Sequence, residues 1–123
     1  MHAQYGEIPF EMAVDGIETR GVQWADQLVR HIDLPPGVDF TPLFVGLPDD
    51  RCQAAHWGVV LAGSIHVRYL DGTEEVTKAG EAYYWPAGHT GWTEEGVTFV
   101  EFSYAADIQP VLDHLGAQLG TPA

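Results

Sequence analysis

The sequence predicts an all-β fold of short antiparallel strands closed into a barrel or jelly roll, with one helix at its C-terminal end. Strand-forming runs recur at short spacing from about residue 53 onwards, with no helical pattern between them. The 14 Gly and 8 Pro among 123 residues fit a chain with many tight turns. Clear helical periodicity is confined to the last part of the chain. A chain of this length is expected to form one domain, residues 1–123.

The first third of the chain carries weaker signals. Apolar residues alternate with others over residues 8–14, which indicates an edge strand. Residues 21–34 mix two periods and fit either a pair of strands or a short helix. Residues 40–45 predict a further short strand, and the polar residues 48–50 predict a turn.

The middle of the chain gives the strongest strand signals. An apolar strand is predicted over residues 56–63, followed by a turn at its closing glycine and an alternating strand over residues 64–69. Asp71 and Gly72 form a dipeptide that favours a two-residue hairpin turn. Residues 74–77 are then expected to pair with the preceding strand.

The last third of the chain predicts two strands and the helix. The strands cover residues 82–85 and 97–102, and the first of them ends in a turn at residues 86–88. Apolar residues then recur at three- and four-residue steps, which predicts an amphipathic helix over residues 107–119 with Asp107 as its N-cap. Its apolar stripe is expected to cover the outside of the barrel or a neighbouring subunit.

Charge and cysteine content restrict the partners and the location. Five basic residues stand against 18 acidic ones, so the formal charge of −13 repels nucleic acid and anionic membrane surfaces. The single cysteine, Cys52, excludes an intramolecular disulfide. Neither an export signal nor a membrane-spanning run is visible. We therefore expect a cytoplasmic protein that binds neither nucleic acid nor membrane.

Two stretches of the chain resemble the motifs of the cupin family. Residues 80–88 match the second cupin motif, in which a Gly, five residues, a Pro, any residue and a Gly lead into a strand that bears a His. Residues 56–63 resemble the end of the first motif. The resemblance covers about residues 43–103. It implies a small single-domain cupin, with the double-stranded β-helix, or jelly-roll barrel, of that family.

The usual metal ligands of the family are displaced or replaced in this sequence. His56 stands where the first motif has its Glu, and Asp50 and Cys52 stand where it has two His. The His of the second motif is expected at Gly91, whereas His89 lies two residues earlier. A shift of two residues preserves the facing of a side chain along a strand, so His89 is able to point inwards.

These residues predict a candidate metal site at the barrel mouth. His56 and His89 are expected to bind one divalent ion, Fe, Zn, Mn or Ni, with Cys52 or Glu101 completing the set. Cys52 and His56 lie four residues apart and share one face of an extended strand. The alternative is that the histidines are buried and bonded to carbonyl groups, that Cys52 is a small buried residue, and that none of them contacts a metal. Glu101 is either a catalytic base or ligand in the cavity or a solvent-facing residue, and alternation does not decide between them.

Four aromatic residues cluster around the two motifs and are candidates for ligand binding. Trp57, Tyr83, Trp85 and Trp92 offer large, flat contact surfaces for a small organic molecule. Core packing competes with this role, so about two of the four are expected at the pocket. His66 alternates with apolar neighbours and is expected to face outwards.

Two functions remain open from the sequence. One is a metal-dependent enzyme with the oxygenase- or isomerase-type chemistry that the cupin resemblance implies, acting on a small organic molecule. The other is a metal-free small-molecule-binding or accessory cupin in which the same histidines only form hydrogen bonds. The resemblance also implies a homodimer, formed through sheet edges, the apolar helix stripe and the N-terminal edge strand.

Overall fold

The computed structural model describes residues 1–120, which form antiparallel strands followed by one α-helix. The strands are β1 (Phe10–Val14), β2 (Ile17–Trp24), β3 (Gln27–Leu34), β4 (His56–Tyr69), β5 (Glu74–Lys78), β6 (Ala82–Trp85), β7 (His89–Trp92) and β8 (Val97–Tyr104), and the helix is α1 (Ala105–Leu119). Short 3-10 helices lie at Tyr5–Glu7, Pro42–Phe44 and Pro48–Asp50. The predicted all-β class with a C-terminal helix is confirmed.

Strand β4 organises the sheet. The strand order is β1-β2-β3-β8-β4-β5, with β6 and β7 also paired to β4. The first half of β4 pairs with β6 and β8, and its second half pairs with β5 and β7. The turn predicted at Gly63 is therefore wrong, because β4 runs on through it. Gly63 has a φ of 74° and lies next to a shift in register with β8, where a Cβ atom would collide with the carbonyl of Gly96.

Three further expectations are settled by the structure. The open choice over residues 21–34 resolves as strands, because β2 and β3 form a hairpin. The short strand predicted over residues 40–45 is wrong, since Pro42 begins a 3-10 helix, where its fixed φ and missing N–H are tolerated. The predicted N-cap at Asp107 is wrong, because the helix begins at Ala105 with Tyr104 as its N-cap and Asp107 in its first turn. The Ala105 N–H, which has no partner within the helix, donates to the carbonyl of Asp26 (2.9 Å).

The interior contains two apolar clusters that meet at one end of the barrel. The barrel cluster is formed by inward-facing strand residues: Ile17, Ile32, Leu34, Val60, Ile65, Val67, Tyr83, Trp85, Val97 and Phe99. The second cluster joins α1 to the segment before β4: Phe44, Cys52, Ala54, Ile108, Val111 and Leu115. The stripe of α1 therefore covers the open end of the barrel in the same chain. Within residues 1–120, no helix has the length and apolar character needed to cross a membrane.

Candidate metal centre

Cys52, His56 and His89 meet beneath α1. One potential ligand atom from each lies within 4.8 Å of the other two. The Cys52 Sγ is 3.4 Å from the His56 Nε2, and the two imidazole centroids are 5.0 Å apart. All three side chains are buried, with exposed fractions of 1%, 4% and 5%. The structure thus brings together the three residues that the sequence suggested as metal ligands.

Backbone pairing holds these residues in position. Cys52 forms an isolated bridge with His89, where the Cys52 N–H donates to the His89 carbonyl (2.8 Å). The Gly88 N–H donates back to the Cys52 carbonyl (2.8 Å). His56 begins β4 opposite Trp85 of β6, and His89 begins β7. The turn over residues 86–88 therefore brings His89 to the cluster, and Cys52 reaches it from outside the regular strands.

Hydrogen bonds orient the two imidazole rings. The His89 Nδ1 donates to the Pro86 carbonyl (2.7 Å), which leaves its Nε2 with a free lone pair. The His56 Nδ1 lies 2.6 Å from the Ser103 Oγ and 3.6 Å from the Glu101 Oε1, while its Nε2 is directed at Cys52. Partners of this kind on the second ring nitrogen are usual for histidines that ligate a metal.

Burial keeps all three groups uncharged at neutral pH. It raises the pKa of the Cys52 thiol to about 12. Burial, together with the charge of Arg30, lowers the pKa of His56 to about 3. Burial, together with His56, lowers the pKa of His89 to about 4. Neutral imidazoles are the form that binds metal, and a bound cation would promote loss of the thiol proton.

Glu101 faces the interior and forms a buried ion pair. It is 3% exposed, and its Oε2 accepts a hydrogen bond from the Arg30 Nη1 (2.7 Å). The Arg30 Nε donates to the Glu11 Oε1 (2.9 Å). Burial by itself lowers the pKa of Arg30, but the charges of Glu101 and Glu11 outweigh it and leave this pKa raised. Glu101 therefore faces the interior, where it contacts Arg30 on the neighbouring strand β3. The solvent-facing alternative for Glu101 is wrong.

The sequence reasoning missed Arg30 and Ser103. Arg30 shares the inward face of β3 with Ile32 and Leu34, and an arginine in such a row signals a buried acidic partner. Ser103 lies two residues after Glu101 on the inward face of β8. Alternation places these residues on inward faces, but it carries no signal for the pairs they form across strands.

A cavity of about 70 Å³ lies between the barrel and α1. Its polar lining consists of Thr19, Arg30, Cys52, His56, His89 and Glu101. Apolar side chains form most of the remaining wall, and α1 contributes Ile108, Val111, Leu112 and Leu115. The three candidate ligands therefore border a mainly apolar space.

Only one of the four suggested aromatic residues lines this cavity. Trp85 does so, and Tyr83 stacks behind it with ring centroids 3.7 Å apart. Trp57 is 42% exposed on the outer face, because it follows the inward-facing His56 by one residue. Trp92 stacks on His66, away from the cavity lining. These placements correct the expectation that about two of the four line the pocket.

The comparisons with known proteins identify the fold. No family model matches the sequence, and no curated protein is similar to it. Among solved structures, an RmlC-like cupin from Shewanella frigidimarina matches with a TM-score of 0.59 and 15% identity, over 83% of this chain and 87% of that one. The polyketide cyclase RemF from Streptomyces resistomycificus matches with a TM-score of 0.62 and 17% identity, over 85% and 78%.

A larger enzyme is also similar to this chain. Oxalate decarboxylase from Bacillus subtilis matches with a TM-score of 0.57 and 17% identity, over 81% of this chain. The match spans only 28% of that enzyme.

The fold and the site define a β-barrel domain with a Cys-His-His cluster beneath its C-terminal helix. The chain has the cupin fold, as the motif spacing predicted.

Proposed function

We propose that this chain is a metal-dependent cupin enzyme that acts on a small, mainly apolar organic molecule held in the cavity beneath α1. The observation that carries the proposal is the meeting of Cys52, His56 and His89 at the wall of a mainly apolar pocket. One thiolate and two neutral imidazoles are ligands that Zn, Fe and Ni accept, whereas Mn prefers oxygen ligands. Three protein ligands leave a coordination position open to the cavity.

The charges around the cluster fit a bound dication. Glu11 and Glu101 surround Arg30, so these three residues together carry one negative charge. A dication bound by the Cys52 thiolate and two neutral imidazoles carries one positive charge. The Glu101 Oε1 lies 3.6 Å from the His56 Nδ1, close enough to offset that charge in a buried setting. Binding would thus leave the cluster and its surroundings neutral overall.

The bound ion would supply Lewis acidity to an oxygen atom of the substrate or activate a small ligand. The protein residues would hold the substrate and exclude water. Glu101 is the carboxylate of the cavity wall, and its Oε2 is held by Arg30, which leaves Oε1 to accept a proton in isomerase-type chemistry. Oxygenase-type chemistry would need dioxygen as the oxidant and a redox-active ion such as Fe, with the open coordination position available. Consumption of oxygen during turnover of a substrate indicates oxygenase-type chemistry. Exchange of a substrate hydrogen with deuterated water indicates isomerase-type chemistry.

Metal analysis tests the proposal. Untagged protein loaded with Zn, Fe, Mn or Ni salts and freed of excess ions is expected to retain about one ion per chain, because the three donors are already close together. The double variant His56→Ala/His89→Ala is expected to retain none, as measured by elemental mass spectrometry. His66→Ala is the matched control, since His66 lies outside the cavity lining. Absence of retained metal with all four ions overturns the proposal and favours a metal-free binding protein.

We further propose that the chain forms a homodimer through its outer sheet face rather than through α1, whose stripe is buried within the chain. We call this face the outer patch. Its members are exposed apolar side chains of β4, β6 and β8: Trp57, Val59, Leu61, Tyr84, Phe102 and Tyr104. Trp57 lies opposite both Tyr84 and Phe102, so the patch is continuous across three strands. Two chains that each carry a charge of −13 repel each other least when they associate through an uncharged face.

The size of the outer patch suits a second copy of the chain. Four of its members are aromatic, each with about 150–250 Å² of surface to bury. Their exposed fractions of 36–52%, with those of Val59 and Leu61, give roughly 400–600 Å², which is enough for the apolar centre of a standard interface of about 800 Å² per partner. A twofold axis through the patch would bury it on both copies at once.

A single charge in the outer patch is expected to yield monomers. Leu61→Glu places a carboxylate in the paired face, so light scattering coupled to size exclusion is expected to give the mass of one chain instead of two. Leu70→Glu is the control, because Leu70 is equally exposed (55% against 52%) and lies outside the patch. A monomeric mass for the unaltered protein at high concentration contradicts the dimer.

A further inference from the structure

A buried hydroxyl in the cavity wall has no hydrogen-bond partner within residues 1–120. Thr19 is 4% exposed and lines the cavity, and its Oγ1 makes no hydrogen bond to the protein. Three other buried polar atoms in the described residues share this lack of a partner, those of Arg20, His31 and Arg51, and none of these residues lines the cavity. Buried hydroxyls are normally satisfied, so this one indicates a ligand or water partner.

Arg30 lies beside this hydroxyl on the neighbouring strand. Thr19 is opposite Ile32 in the β2–β3 pairing, so the inward-facing Arg30 is its diagonal neighbour, at about 7–8 Å between Cα atoms. The hydrogen bonds of Arg30 to Glu11 and Glu101 use its Nε and Nη1. Its remaining N–H groups, one on Nη1 and two on Nη2, make no hydrogen bond within the described residues, and Arg30 lines the cavity. One oxygen atom in the cavity can therefore accept hydrogen bonds from both the Thr19 hydroxyl and the Arg30 guanidinium.

The charge of the surroundings selects a neutral oxygen. Arg30 is already paired with two carboxylates, so an added anion would meet the excess negative charge of Glu11 and Glu101. A hydroxyl or carbonyl oxygen avoids this repulsion. The rest of the wall is mainly apolar, and the volume of about 70 Å³ is about half that of the 150 Å³ cavity that holds benzene. The occupant is therefore small and carries little polarity beyond that oxygen.

We infer that Thr19 and Arg30 form an oxygen-binding subsite for a small, neutral alcohol or ketone. This inference rests on the proposed function, because the ligand occupies the same cavity. Strands β3 and β8 separate Thr19 on β2 from His56 on β4 in the sheet. A molecule whose oxygen is held at Thr19 therefore lies in the cavity that the Cys52, His56 and His89 cluster also borders.

A set of four probes with two or three carbon atoms, small enough for the cavity, tests this subsite. 2-Propanol, acetone, propane and acetate are titrated by saturation-transfer NMR into the full chain after treatment with a chelator and, separately, after metal loading. The alcohol and the ketone are expected to bind more tightly than propane, and acetate is expected to bind most weakly to the metal-free chain. Thr19→Val is expected to weaken binding of the alcohol and the ketone about fivefold to tenfold and to leave propane unchanged.

Thermal unfolding separates this role from a structural one. Thr19→Val removes an unpaired hydroxyl at nearly constant volume, so the midpoint is expected to stay the same or rise while affinity falls. Thr19→Ser keeps the hydroxyl and is expected to keep the preference for the oxygen-bearing probes. Ile32→Val is the control, because Ile32 also lines the cavity but has no polar side-chain atom, so this variant is expected to keep the preference for the oxygen-bearing probes.

Several results would overturn the subsite. These are equal binding of propane and 2-propanol, tighter binding of acetate than of 2-propanol to the metal-free chain, an unchanged preference in Thr19→Val, or no binding of any probe at millimolar concentration. Failure of metal loading with the Thr19-dependent preference intact overturns the proposed function and leaves the subsite standing. Metal retention without that preference overturns the subsite and leaves the proposed function standing.

Discussion

Arg30→Met is expected to lower the free energy of unfolding by about 3–5 kcal/mol, because it leaves Glu101 as a buried charge without a partner. The side chains of both residues are almost inaccessible, with exposed fractions of 7% and 4%, so solvent cannot replace the lost contact. Methionine has a similar length and keeps the apolar packing of the arginine stem. Urea denaturation at pH 7 measures the loss.

Two further variants establish the cause of this loss. Arg30→Met combined with Glu101→Gln removes both charges and is expected to recover much of the stability. Arg68→Met is the matched control, because Arg68 pairs with Glu74 at the surface, where such pairs contribute about 0–1 kcal/mol. Equal losses for Arg30→Met and Arg68→Met contradict a structural role for the buried pair.

The fold was predictable because its signals are local. The spacing from Gly80 to Gly88 and the Asp71-Gly72 dipeptide each describe a few consecutive residues, and the structure has strands where they indicate them. The turn itself differs from the expected two residues, because Tyr69 bonds to Thr73 and residues 70–72 form a three-residue loop in which Gly72 has a φ of 88°. The apolar period of residues 107–119 indicated a helix in the same way. The surface that the helix covers was not readable, because it is formed by the distant segment containing Phe44 and Ala54.

The site was only partly predictable, since contacts across strands decide it. Alternation along β8 left the orientation of Glu101 open, and its partner Arg30 lies 71 residues away in the chain. Trp57 is adjacent to His56 in sequence and therefore faces the opposite side of β4. Closeness to a motif in sequence therefore does not identify the residues that line the cavity.

The unpaired hydroxyl of Thr19 shows the limit of sequence reasoning most clearly. Threonine is common in strands, and nothing in its neighbours distinguishes Thr19 from a residue that merely fits the sheet. Only the hydrogen bonds of the folded chain reveal that this hydroxyl has no partner while the other polar groups of the wall have theirs.

Acid is expected to destabilise the metal-free protein well above the range in which carboxylates titrate. The pKa of His56 is lowered to about 3, by burial and by Arg30, and that of His89 to about 4, by burial and by His56, whereas both are 6.5 in the unfolded chain. Glu101 opposes part of the shift at His89. Above pH 6.5 the two histidines are neutral in both the folded and the unfolded chain, so their contribution to stability is fully present. As the pH falls through 6.5, the unfolded chain binds protons that the folded chain does not, so stability is lost until the folded-state pKa values are reached.

The expected loss between pH 7 and pH 5 is about 3–4 kcal/mol for the two histidines together, a large fraction of the stability of a typical domain. Burial also lowers the pKa of His31, which adds to the loss in the same direction. Urea denaturation of chelator-treated protein at pH 7, 6 and 5 measures it. His56→Asn/His89→Gln is expected to flatten this dependence whatever its stability at pH 7, and His66→Asn is expected to preserve it. A wild-type stability that does not change between pH 7 and pH 5 means that the folded state accepts protons on these imidazoles. The neutral, ligand-ready state ascribed to the cluster would then not persist in mild acid.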